Sequence, residues 1–150
     1  MKKLIPVVNS VAFLLFGTTS RRAAAESATI DAGLEKVSMF ALGGIGVAGT
    51  ISSGERALRE ILEKPDAVAQ LERLLTNATP AGQLYALLGL RMKDRAAYNR
   101  AVLKLKSSDA KVETARGCML SQDPFGDLVK EIERGQYDTF LDRKWPPQSR

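Results

Sequence analysis

The feature that most constrains this chain is the regular punctuation of its middle third. Apolar clusters ending at Leu62, Leu75, Leu90 and Leu105 follow one another at intervals of 13, 15 and 15 residues. Each interval holds one short helix and a tight turn, and short turns between short helices make antiparallel neighbours. The stops and starts are chemically distinct. Ser52 stands three residues before Glu55, a spacing that lets hydroxyl and carboxylate satisfy one another's free backbone donors, so a helix is expected from near Ser53. Lys64-Pro65 ends it, because the residue before proline is pushed out of the helical region. A second helix starts near Asp66 and ends at Asn77, Thr79-Pro80 caps a third that runs to about Met92, and Asp94 opens a fourth that Ser107-Ser108-Asp109 closes.

Outside this middle the signals are weaker. Ile30, Leu34, Val37 and Ala41 recur at helical spacing and predict a first helix ending before Gly43 and Gly44. Gly43 to Gly49 is too glycine-rich for a helix interior and reads as a loop or short strand. Residues 112 to 120 read as a short strand or a ragged helix. Asp123-Pro124 opens a last helix carrying Leu128, Val129 and Ile132, with Gly135 at its C-terminal cap. The expected fold is therefore mostly α: a single small domain of about five short antiparallel-packed helices, with room for a short two-stranded element. An irregular tail follows from about 137 to 150, in which Trp145 is the expected anchor.

The run Thr79-Pro80-Ala81-Gly82-Gln83-Leu84-Tyr85-Ala86-Leu87-Leu88-Gly89-Leu90, preceded by the Asp66 to Leu75 helix, resembles the helical hairpin of HEAT-type repeats over about residues 53–105. The resemblance rests on leucine and alanine positions and implies a stack of helical hairpins.

Met1-Lys2-Lys3, the apolar run Leu4 to Gly17 and Ala23-Ala24-Ala25 before Glu26 have the form of an export signal with a peptidase site. The expected organisation is a signal peptide at 1–25 and one domain at 26–150, periplasmic or secreted. The apolar run is shorter than the roughly 20 residues of a membrane-spanning helix, and no later stretch approaches that length. Removing Lys2, Lys3, Arg21 and Arg22 from the 22 basic residues leaves 18 against 17 acidic ones, so the formal charge of +5 belongs mostly to the leader. Nucleic acid is not an expected partner.

The chain has no His and one Cys. The commonest general base and metal ligand is thus missing, a Cys-rich zinc site is ruled out, and no cofactor is expected. Gly44-Ile45-Gly46-Val47-Ala48-Gly49 matches the G-x-G-x-x-G pattern of dinucleotide sites. Its context does not fit: the following helix starts late, and Glu63-Lys64-Pro65-Asp66 occupies the place of the second strand. Cys118 is expected to lie buried with Met119 and Leu120 as a small hydrophobe, an intermolecular disulfide or a nucleophile being the alternatives. Asp123, Asp127 and Glu131, four apart, would share one face of the last helix, where Lys130 and Arg134 make a solvated, salt-bridged surface the expected reading.

Charge is unevenly divided. Residues 91–111 carry a net +5 and residues 113–142 a net −4. Either the two segments neutralise one another across the fold, or the basic hairpin presents Arg95, Arg100, Lys104 and Lys106 to a partner with an acidic surface. Without a catalytic constellation, the leading expectation is an exported protein-interaction module, an inhibitor or immunity-type protein being one instance, and not an enzyme. The alternatives are an envelope protein binding anionic lipid or polysaccharide, and a small enzyme using carboxylates or Cys118.

Overall fold

The computed structural model describes residues 33–105 and 107–143. After a helical turn at 33–35, the chain runs through β1 (Met39–Ile45), α1 (Ser53–Leu62), α2 (Ala67–Asn77), α3 (Pro80–Lys93), α4 (Arg95–Leu105), β2 (Lys111–Gly117), β3 (Met119–Pro124), α5 (Phe125–Glu133) and α6 (Asp138–Leu141). The expectation of a mostly α domain is overturned: this is a mixed α/β fold with a three-stranded sheet in the order β1-β2-β3. The β1–β2 pair is parallel and the β2–β3 pair antiparallel. The helix expected up to Ala41 gives way to strand, because Phe40, Ala41 and Leu42 are consecutively buried. A strand covered on both faces hides three neighbouring apolar residues at once, which a one-sided helix cannot do. Parallel strands need a long crossover, and α1 to α4 supply it.

Three helices start where their local chemistry dictates. The Ser52 hydroxyl accepts the Glu55 N–H at 2.9 Å, that of Thr79 accepts the Gly82 N–H at 3.2 Å, and Asp94 Oδ1 accepts from Ala96 and Ala97 at 2.9 and 3.0 Å. Asp66 precedes α2 without a side-chain cap bond. Of the reciprocal Ser52–Glu55 cap only the serine half forms, since the Glu55 carboxylate turns instead to the Gly43 N–H at 2.7 Å.

The core is organised around α3, which buries Ala81, Gly82 and every residue from Leu84 to Leu90. Such all-round apolarity marks a central helix, and α3 packs on all four other long helices as well as on β1 and β2. Phe40 joins sheet to helices, its ring centroid 4.8 Å from that of Tyr85 and 5.2 Å from that of Tyr137. Among the described residues no strand lies beside the outer edge of β1. Side chains of Ser52, Glu55 and Tyr85 occupy that edge instead. Glu55, fully buried, is paired at 2.7 Å with Arg59, whose guanidinium also donates to the carbonyls of Phe140, Leu141 and Arg143. The α6 region, expected to be irregular, is thereby fastened to α1. Residues 1–25, Trp145 and Lys106 lie outside the described residues.

Candidate functional site

The helix α4 is amphipathic by composition. Ala97, Tyr98 and Ala101 are buried, Val102 and Leu105 partly so, and Arg95, Arg100, Leu103 and Lys104 are exposed. The structure brings Arg100 and Lys104 together, one turn apart. Arg95 lies about 140° around the helix from Arg100, with its guanidinium 5.0 Å from the Tyr98 ring centroid. Arg100 Nη2 is 3.4 Å from Glu72 Oε1 on α2, and both side chains are about half exposed. A pair that long and that wet contributes little, so Arg100 is available to other anions. Among the described residues, Arg91 with Asp138 is the ion pair that joins the basic and acidic segments.

Between α2 and α4 runs an open groove of about 580 Å³. Leu75, Ala97, Ala101 and Leu103 give it an apolar lining, while Arg100 and Lys104, facing Glu72, form a charged rim. Leu103 is 71% exposed. It falls outside the Ala97, Ala101, Leu105 register, which was the one sequence signal that it points outward beside the cations. Nothing in the sequence analysis had singled it out.

A second concavity, of about 310 Å³, lies where β1 and β2 end against α5 and α6. Phe40, Leu42, Tyr137 and Phe140 line it, with Arg116 and Glu131 among its polar residues. Glu131 Oε2 accepts from Arg116 at 2.8 Å and from the Tyr137 hydroxyl. Burial and then the Glu131 carboxylate push the Tyr137 hydroxyl above its ordinary pKa, and the same carboxylate raises Arg116. The three polar groups thus satisfy one another.

The remaining sequence candidates disperse. Ile45 and Thr50 form an antiparallel bridge that closes the glycine segment into a hairpin, and Gly46 N–H donates to the Gly117 carbonyl at 3.0 Å. No helix opens on the motif. Cys118 is exposed at the turn between β2 and β3, and Met119 and Leu120 beside it are also exposed. The expectation of a buried thiol is thus corrected: outer-strand geometry leaves all three outside the core. Asp123 lies in β3, not on a helix. Its carboxylate accepts from Thr114 at 2.6 Å and Ser121 at 3.1 Å, and the Thr114 bond holds its pKa below the ordinary value. Asp127 pairs with Lys130 and Glu131 with Arg116. Among the described residues no group of three acidic or cysteine side chains is placed to hold a metal ion.

No family model, curated protein or solved structure matches the chain.

Proposed function

We propose that this chain is a protein-interaction module that receives an acidic, amphipathic segment of another protein in the groove between α2 and α4. The observation that carries this reading is Leu103, exposed beside Arg100 and Lys104 at the rim of a groove with an apolar lining. An exposed large apolar side chain set beside exposed cations matches a segment with apolar residues on one face and carboxylates at its margin. The basic leader, apolar run and Ala23-Ala24-Ala25 site support action outside the cytoplasm. Among the described residues no helix is long and apolar enough to cross a membrane.

The test compares capture of envelope proteins by the native chain, by Arg100→Glu/Lys104→Glu and by Leu103→Ala, across ionic strength. A protein partner in the groove is lost with either variant, about tenfold or more for the charge reversal at low salt and less at high salt. A surface that gathers anionic lipid or polysaccharide by charge alone is indifferent to Leu103→Ala. Retention of the same partners by both variants would remove the groove from the function.

A further inference from the structure

The strand β1 loses register with its partner before it ends. Ala41 stands opposite Ala115 and Ile45 opposite Gly117, so Leu42, Gly43 and Gly44 together face Arg116 alone. Extra residues in one strand bend it away from the other, and such bulges are over-represented beside active sites. The local cause is Gly43. Its φ of +81° is a conformation that favours glycine, its N–H turns to Glu55, and a Cβ there would stand 2.8 Å from the Phe140 ring. Leu42 and Gly44 of the bulge line the concavity of about 310 Å³ at the carboxyl ends of β1 and β2. Open α/β sheets bind their ligands at the carboxyl ends of parallel strands, and these two are the parallel pair.

The floor and the mouth of this concavity differ in chemistry. Phe40 and Leu42 are buried beneath it, and Tyr137 and Phe140 wall it. An apolar cavity of about 150 Å³ admits benzene, so this volume has room for one molecule of the size of phenylalanine. At the mouth stand Arg116 and Glu131, their side chains 59% and 23% exposed. Each has a partner, yet both keep polar atoms over. Glu131 Oε2 accepts the bonds from Arg116 and from Tyr137, and among the described residues nothing donates to Oε1. A guanidinium carries five N–H donors, and its bond to Glu131 is made through Nη2 alone.

We propose that this concavity binds a free α-amino acid with a large apolar side chain. The side chain lies over Phe40 and Leu42, the α-carboxylate takes N–H donors of Arg116 that Glu131 does not use, and the α-ammonium donates to Glu131 Oε1. Charge favours a zwitterion over simpler ligands. A carboxylate alone would set a like charge beside Glu131, and an amine alone would set one beside Arg116. A molecule with both charges meets an opposite charge at each end and leaves the Arg116–Glu131 pair in place. A residue inside a peptide has neither charge to offer, which restricts the site to the free amino acid.

The test titrates the isotopically labelled full chain with L-phenylalanine, phenylacetate, phenethylamine and glycine, read by amide chemical shifts. L-phenylalanine should saturate with a Kd at or below about 1 mM and move the resonances of Leu42, Gly44 and Phe140. The three analogues, which lack in turn the ammonium, the carboxylate and the side chain, should each bind about tenfold or more weakly. Arg116→Gln changes an exposed side chain, so the variant is expected to fold. It should weaken L-phenylalanine about tenfold or more without weakening phenethylamine. No saturation by L-phenylalanine at about 10 mM, phenylacetate or phenethylamine binding as tightly as L-phenylalanine, unchanged affinity in Arg116→Gln, or shifts confined to residues away from the concavity would each overturn the proposal.

Discussion

The hydroxyl of Tyr85, on α3, lies 2.9 Å from the peptide nitrogen of Ala41 and 2.7 Å from its carbonyl oxygen. One side chain thus serves both backbone groups of a strand residue, as a neighbouring strand would. The Ser52 hydroxyl also donates to the Ala41 carbonyl at 2.8 Å and is 3.0 Å from Tyr85. The open edge of β1 is sealed from within the core.

Tyr85→Phe should accordingly cost about 1–3 kcal/mol, because it strands a buried N–H. Tyr98 is the counterpart: its hydroxyl is buried with no hydrogen-bond partner, and Tyr98→Phe should be neutral or stabilising by up to about 1 kcal/mol. Urea unfolding of the two variants reads the contrast. Equal effects would show that the hydroxyl at Ala41 is not what holds that edge.

Gly54 occupies the second position of α1, where alanine would ordinarily be favoured by up to about 1 kcal/mol. A Cβ there would stand 2.4 Å from Tyr85 Cε2 and 2.6 Å from Cζ. The ring is fully buried and has no room to retreat. Gly54→Ala should therefore destabilise the fold by about 1–3 kcal/mol, against its helix propensity. Thermal melting gives the sign, and a raised midpoint would contradict the packing.

Burial pushes the Tyr85 hydroxyl from its ordinary 10.0 up to about 12, although its bonds to Ser52 and the Ala41 backbone pull the other way. Tyr137 is displaced in the same direction. Between pH 10 and about 12 the unfolded chain has released this proton while the folded chain keeps it. The stabilisation is fully present below pH 10 and is lost as pH rises towards 12. Denaturant midpoints should fall across that window, with a shallower slope in Tyr85→Phe. A flat profile in the native chain would mean that the phenol ionises freely.

Cys118 is exposed at the β2–β3 turn. A thiol reagent should modify it in the folded protein without prior unfolding, and Cys118→Ser should change stability by no more than about 0.5 kcal/mol. Labelling that waits for denaturant would return the thiol to the core.

The boundaries of α1, α3 and α4 were legible because their causes are local. The hydroxyls of Ser52 and Thr79, Pro80 at the first helical position and the Asp94 carboxylate act on peptide groups within three residues. The stripe Leu128, Val129, Ile132 placed α5 for the same reason, and the cations of α4 could be read directly. Strand β1 could not be found this way. Met39 pairs with Glu113, 74 positions along the chain, and no window around Phe40 contains the strand that binds it. Ile30, Leu34, Val37 and Ala41 keep helical spacing, but burial on both faces of Phe40, Ala41 and Leu42 outweighs that weak preference. Non-local pairing also decided that Glu55 turns to Gly43, that Cys118, Met119 and Leu120 stand in solvent, and that Asp123 leaves the helix for β3. Leu103 joins the candidate site on the same terms: its own residue type favours burial, and only the packing of the opposite face of α4 against the core turns it outward. Local chemistry sets where a helix begins and ends, whereas which apolar residues are covered depends on partners that the chain brings together only when it folds.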